Sequence, residues 1–234
     1  MRATDEAIVL VGGLGTRLRP VLSGIPKPLA PVAGRPFIAY LLDRLAGGGL
    51  RRVILATGYL AEQIKGVVGS RWCGMDIRYS QEGMPLGTGG AVRLAASQLL
   101  GDSVHLVNGD TFLRFDRVEL ENAVRDRGLA LGMALARVTD VGRYGAVKVD
   151  GGRVAAFQEK GLPGPGLINA GSYFLAPEGL AALPAEECYS FEERVLHPLA
   201  AAGRVAAMQN TSDFIDIGVP DDYARAQSML GQGD

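Results

Sequence analysis

The residues best placed to do chemistry in this chain are glycines beside isolated cations, carboxylates that end apolar runs, and one Glu-Lys pair. The densest group lies in IVLVGGLGTRLRPVLSGIPKPLAP, from Ile8 to Pro31. Ile8 to Val11 reads as a buried strand, and Gly12, Gly13 and Gly15 break it into a turn without side chains. A backbone of that kind lets successive N–H groups converge on one anion. Arg17 follows Thr16, and Lys27 is held between Pro26 and Pro28. Two fixed cations exceed what a redox dinucleotide turn requires and suit a triphosphate. The glycines taken alone also fit a tight strand-to-helix turn with no ligand.

The carboxylates are spaced differently. The apolar run Val104 to Val107 ends in Asn108, Gly109 and Asp110, and the short run Phe214 to Ile217 carries Asp216 in the tripeptide DIG. A carboxylate just past a central strand sits where a parallel sheet opens to ligand, although an aspartate there can equally cap a helix. A second glycine loop, SQEGMPLGTGGA, leads from Ser80 into a helix over Val92 to Leu99, gathering amides at its N-terminus, with Thr88 as an ordinary cap in the simpler reading. Glu159 and Lys160 follow a strand over Val154 to Gln158, and Arg143, Tyr144 and Gly145 precede one over Ala146 to Val149. Such exposed pairs are usually only solvated. Asn169, Ala170 and Gly171 interrupt the apolar run Ile168 to Leu175, which a bulge or a close ligand approach would explain.

The elements that must position these residues alternate. A helix over Pro36 to Leu45, a strand over Val53 to Ala56, a helix over Ala61 to Val68 and a strand over Ile77 to Tyr79 follow the first strand. That order predicts an α/β fold with right-handed crossovers and a mostly parallel sheet covered on both faces. A helix over Asp116 to Arg127 precedes a strand over Leu129 to Arg137, after which short strands suggest a small antiparallel part. A helix over Phe191 to Ala201, a strand over Val205 to Met208 and a last helix opened by Pro220 and ending near Leu230 complete the order. His105 lies inside a strand and reads as core.

With 234 residues the chain is expected to form one domain, 1–234. A net charge of -1 with scattered basic residues shows neither a nucleic-acid stripe nor a membrane-surface patch, so the expected partner is a small molecule. Cys73 and Cys188 stand far apart without His or Cys companions, fit neither a disulfide framework nor a zinc site, and are expected to be buried thiols. No apolar run reaches the length of a membrane span or secretory core, which gives a cytoplasmic expectation. The 33 glycines, about twice the usual share, fall between apolar runs and form no repeat.

GGLGTRLRP followed by KPLAPVAGRP resembles the signature loop of the sugar-1-phosphate nucleotidylyltransferases. The resemblance implies a Rossmann-like nucleotidyltransferase fold without the C-terminal β-helix that many such enzymes carry, with a nucleotide-binding half over about 1–115 and a sugar-phosphate half over about 130–218. Carried onto this sequence, it implies that Val11, Gly12, Gly13, Gly15, Thr16, Arg17, Lys27, Gln81, Leu86, Gly87, Thr88, Asn108 and Asp110 contact the nucleoside triphosphate. It gives Tyr144, Gly145, Glu159, Lys160, Asn169 and Gly171 to the sugar 1-phosphate, Asp110 and Asp216 to Mg²⁺, and the catalytic work to Arg17, Lys27 and Asp110. Two carboxylates distant in sequence can share that ion, which takes few protein oxygens and completes its shell with substrate phosphates. The elements PLGTGGAV, VNGDTF, RYGAV, FQEK, LINAGSYFL, FEERVL and FIDIGVPDDYARA look closest to the D-glycero-α-D-manno-heptose 1-phosphate guanylyltransferases, which implies GTP as donor and surface polysaccharide synthesis as setting. Mannose 1-phosphate guanylyltransferases and N-acetylmuramate 1-phosphate uridylyltransferases have similar loops, and a silent nucleotide-sugar-binding regulator stays open beside them. Short members of such families often form homodimers.

Overall fold

The computed structural model of the protein describes residues 3–13 and 24–231, so Gly15, Thr16 and Arg17 lie outside the described residues. In chain order the strands are β1 (Glu6–Leu10), β2 (Pro31–Val32), β3 (Arg35–Pro36), β4 (Arg52–Thr57), β5 (Arg71–Trp72), β6 (Met75–Gln81), β7 (Val104–Asn108), β8 (Thr111–Phe115), β9 (Leu131–Val138), β10 (Val147–Asp150), β11 (Arg153–Phe157), β12 (Gly166–Leu175), β13 (Val205–Met208) and β14 (Thr211–Asp216). The helices are α1 (Phe37–Gly47), α2 (Ala61–Val68), α3 (Gly87–Ala96), α4 (Arg117–Arg125), α5 (Pro177–Ala181), α6 (His197–Ala201) and α7 (Pro220–Gly231).

Among the described residues one sheet runs in the order β10-β11-β13-β9-β12-β7-β1-β4-β6-β5. Seven of its strands, β1, β4, β6, β7, β9, β10 and β13, point the same way, and β5, β11 and β12 oppose them. The mostly parallel α/β expectation therefore holds. The antiparallel part is continuous with the parallel one, because β12 pairs with β7 on one side and β9 on the other.

Strand alternation explains why both faces are covered. On β1, Ile8 packs into a cluster with Ile54, Val92 and Leu106, whereas Ala7 and Val9 join Ile38 and Leu42 of α1 and Ile64 of α2 on the opposite face. On β12, Tyr173 and Leu175 share the first cluster, while Phe174 packs with Leu120 and Val124 of α4. Asp116 caps α4, its carboxylate accepting from the N–H groups of Val118 at 2.8 Å and Glu119 at 3.3 Å.

A smaller layer lies beside the main sheet. β14 pairs antiparallel with β8, and Ala30, Val32, Phe37, Phe112, Ile215, Ile217 and Ala226 form its core. β2, β3 and β5 are two residues each, too short for a periodicity to show, and β8 directly follows a loop segment, so none of the four is legible from residue pattern. α3 begins at Gly87 rather than Val92. The helix expected over Phe191 to Ala201 is a π-helical turn, Glu192–Leu196, followed by α6. Pro198 lacks the N–H that a continuous α-helix would use, and the turn before it opens to the wider spacing. Both cysteines are exposed, contrary to expectation. Cys73 turns the β5–β6 hairpin at φ 46°, and Cys188 lies in an irregular segment before the π-helical turn, so neither belongs to an apolar element.

Candidate active site

Lys27, Asp110 and Asp216 meet at the junction between the main sheet and the small layer. Lys27 opens a 3-10 turn, Lys27–Leu29, that is fixed by Leu29 N donating to Pro26 O at 2.8 Å and Ala30 N to Lys27 O at 3.1 Å. Asp110 occupies the link between β7 and β8, where Gly109 N donates to Leu10 O at 2.8 Å and ties the link to the end of β1. Asp216 ends β14 opposite Thr111, and Ile217 N donates to Asp110 O at 3.0 Å. The strand pairing therefore sets the two carboxylates side by side. Lys27 Nζ stands 2.5 Å from Asp110 Oδ2 and 3.6 Å from Asp216 Oδ1. Because β8 rather than a helix follows Asp110, the capping alternative falls away.

The geometry also explains the glycine of DIG. A Cβ at Gly218 would lie 2.8 Å from Asp216 Oδ1 and 3.1 Å from Lys27 Nζ, so a side chain there would crowd both the carboxylate and the ammonium. Gly218 N instead donates to Asp216 Oδ1 at 2.8 Å. Burial, then the neighbouring Asp110 charge, push the Asp216 carboxyl above its ordinary range, with Lys27, the Gly218 N–H and Arg143 pulling the other way. Two hard carboxylates side by side are a donor set that fits a divalent ion whose remaining shell comes from phosphates. Among the described residues no cluster of three or more His, Cys, Asp or Glu side chains forms a self-sufficient metal site.

Around this centre the strand ends place the nucleotide candidates. Val11 is buried, its N–H donating to Ala56 O at 2.9 Å, and Gly12 and Gly13 follow at the carboxyl end of β1. Asn108 ends β7 beside Gly171, where a Cβ would lie 2.5 Å from its Nδ2. Gln81 ends β6 and accepts from Lys65 Nζ at 3.2 Å. The second glycine loop serves a packing role that its sequence did not disclose. A Cβ at Gly89 would lie 2.1 Å from the Tyr189 ring and one at Gly90 2.0 Å from Glu187 O, so these glycines let the 187–191 segment lie against α3. Leu86 O accepts from Tyr189 N at 3.0 Å, Gly89 N donates to Tyr189 O at 2.9 Å, and Thr88 Oγ1 accepts from Phe191 N at 2.9 Å. Thr88 is thus no cap of α3, and its hydroxyl is engaged within the protein. Glu82, which sequence reasoning passed over, accepts from Leu86 N at 3.0 Å and lies against Gly58 and Gly12.

On the other side of Asp216 stand Tyr144, Gly145 and Lys160. Gly145 lies against Gln158 O and the Lys160 stem. Glu159 and Lys160 are exposed in the loop after β11. Burial, then the Asp222 charge, push the Tyr144 hydroxyl up to about 12, so it stays protonated through the neutral range. Asn169 sits at the register shift in β12, the bulge its sequence suggested, with Nδ2 donating to Tyr173 OH at 2.7 Å and Oδ1 accepting from Gly171 N at 3.0 Å. Arg143 was noted in the sequence beside Tyr144 and Gly145 but given no role, and Asp222 was not singled out. Arg143 Nη2 donates to Asp222 and Tyr144 and reaches 3.8 Å from Asp216 Oδ2. The one available signal was position, since Arg143 directly precedes Tyr144 and Gly145.

A separate cleft of about 980 Å³ runs between α1, β8 and the end of α7. Its cations are bound within the protein, Arg35 to Asp43 at 2.6 Å, Arg44 to Phe115 O at 2.7 Å and Arg117 to Thr4 O at 2.8 Å. None of Lys27, Asp110 and Asp216 lines it, and it is at those three that opposite charges converge.

Comparison with known proteins places the chain among relatives of known name. The chain is 40% identical over 225 residues, covering 96% of it and 98% of the relative, to the D-glycero-alpha-D-manno-heptose 1-phosphate guanylyltransferase of Aneurinibacillus thermoaerophilus. It is 38% identical over 219 residues, 93% of it and 96% of the relative, to the enzyme of the same name from Campylobacter jejuni. The crystal structure of HddC from Yersinia pseudotuberculosis, also solved in complex with GMP-PN, superposes with a TM-score of 0.85 at 33% identity, covering 97% of this chain and 100% of that one. The family model described as nucleotidyl transferase matches residues 6–233, and the chain belongs to that family.

Proposed function

We propose that the protein transfers a guanylyl group from GTP to D-glycero-α-D-manno-heptose 1-phosphate, giving GDP-heptose and pyrophosphate. The observation that carries the reading is the meeting of Lys27, Asp110 and Asp216 at the carboxyl ends of the parallel strands, where ligands of open α/β sheets bind. The relatives' guanylyltransferase names and the GMP-PN complex of HddC support the base and the sugar.

In this reading a phosphate oxygen of the sugar 1-phosphate attacks the α-phosphorus of GTP in line. The new P–O bond forms as the bond to the β-phosphate oxygen breaks, and its electron pair leaves with pyrophosphate. The nucleophile is already anionic, so no protein group need attack or remove a proton, and catalysis reduces to placement and charge neutralisation. Gly12, Gly13 and Gly15 hold the triphosphate, Arg17 the departing pyrophosphate, Lys27 the α-phosphate, and Lys160 the attacking phosphate. Tyr144, Gly145, Glu159, Asn169 and Gly171 border the sugar, while Gln81, Leu86, Gly87 and Thr88 border the base. Asp110 and Asp216 would hold Mg²⁺, which when bound neutralises phosphate charge.

Pyrophosphate release tests the reading. The expected result is release that requires GTP and the heptose 1-phosphate together and stops in chelator. Release from GTP alone, or release indifferent to the sugar, contradicts it.

A further inference from the structure

We propose that Arg143, pinned by the buried Asp222, binds the phosphate of the sugar 1-phosphate, a role that rests on the transfer reaction proposed above. Asp216 presents two oxygens to two cations. Lys27, from the first half of the chain, stands 3.6 Å from Oδ1, and Arg143, from the second half, stands 3.8 Å from Oδ2. A reaction between two anions needs a cation on each, and the shared carboxylate puts one on either side of the reacting centre.

Arg143 is not simply absorbed by a structural ion pair. Asp222, buried on α7, already accepts from Arg225 Nη1 at 2.9 Å, and Arg225 is tied in turn to Phe214 O at 3.1 Å. Asp222 is thus shared between two guanidinium groups and does not belong to Arg143 alone. The hydrogen bonds of Arg143 among the described residues all leave from Nη2, to Asp222 and to the Tyr144 hydroxyl. Nε and Nη1 therefore keep charged donors available on a side chain that is 37% exposed. The guanidinium also lies over the Tyr144 ring, 4.3 Å from its centroid, and that ring meets Phe214 edge-on at 5.7 Å. A planar donor fixed on one edge, stacked on one face and open on the remaining edge is suited to a phosphate's paired oxygens, a geometry that lysine cannot reproduce.

The test uses R143A, R143K and D222N, with melting temperature measured on each. In steady-state turnover, R143A is expected to raise KM for the heptose 1-phosphate at least tenfold while KM for GTP moves less than twofold. R143K should recover part of that loss, and D222N should shift the same KM in the same direction. Unchanged sugar KM in R143A, or parallel changes in both KM values accompanied by a lowered melting temperature, would overturn the assignment. Calorimetric titration with the heptose 1-phosphate provides an independent readout. Binding weakened at least tenfold in R143A supports the role, and equal binding by wild type and R143A, or none by either, overturns it. Absence of wild-type turnover would instead count against the transfer reaction.

Discussion

Lys27 carries the charge between two carboxylates that face each other across the β8–β14 pairing. Replacing it with alanine removes the one cation that, among the described residues, touches both, and turnover is expected to fall about a hundredfold to a thousandfold, as for loss of one preorganised charge at a reacting centre. Asp216→Asn should shift the dependence on Mg²⁺ to higher concentration, a displacement read from the activation curve in wild type and variant. A third residue-scale prediction concerns stability. Glu121 is buried and accepts from Thr4 N at 3.1 Å and Arg125 Nε at 2.8 Å. Burial alone would raise its carboxyl, but hydrogen bonds from His105, Arg125 and Thr4 outweigh it and hold the group down at about 2. Its stabilising contribution is therefore complete above the ordinary 4.5 and lost as pH falls toward about 2. Urea midpoints should show a gap between wild type and Glu121→Gln at pH 6 that narrows by pH 3. A constant gap contradicts the carboxylate's role. Asp110 and Asp216 were legible as single residues because each ends an apolar run. Their closeness was not, since it depends on a strand pair between segments about a hundred residues apart.

Elements, more than motifs, decide how the second glycine loop works. The run GTGG is indistinguishable in sequence from a ligand loop, yet in the fold Gly89 and Gly90 make room for Tyr189 and Glu187, which come from a segment with no periodic signal. Gly90→Ala would place a Cβ 2.0 Å from a backbone oxygen and is expected to cost about 1–3 kcal/mol by overpacking, read as a lowered urea midpoint. A midpoint unchanged from wild type would show that the 187–191 segment does not rest on α3. The long strands and amphipathic helices could be read from their periods, since β1, β4, α1 and α2 are five residues or longer and apolar on the buried side. β2, β3 and β5 could not, because two residues define no period, and β8 escaped because its apolar residues directly follow the Asp110 loop. The exposed cysteines were misread for a related reason. Composition says that free thiols are usually buried, but Cys73 and Cys188 occupy a hairpin tip and an irregular segment, where no core is within reach.

At the scale of the whole molecule, one continuous sheet joins the segment that carries Lys27 and Asp110 to the segment that carries Tyr144 and Lys160. β12, running against both neighbours, is the seam, and its register shifts between Asn169 and Ser172. Such a scaffold can bring two anionic substrates together over a shared charge centre without a large rearrangement of the strands. The measurement that tests this account most directly is turnover of GTP, UTP, ATP and dTTP, each paired with heptose, mannose, glucose and N-acetylmuramate 1-phosphates, in Mg²⁺ and in chelator. The account predicts strong, metal-dependent turnover of GTP with D-glycero-α-D-manno-heptose 1-phosphate above all other pairs. Preference for another pair would contradict the assignment of base and sugar, and absence of turnover with every pair would contradict the transfer reaction itself.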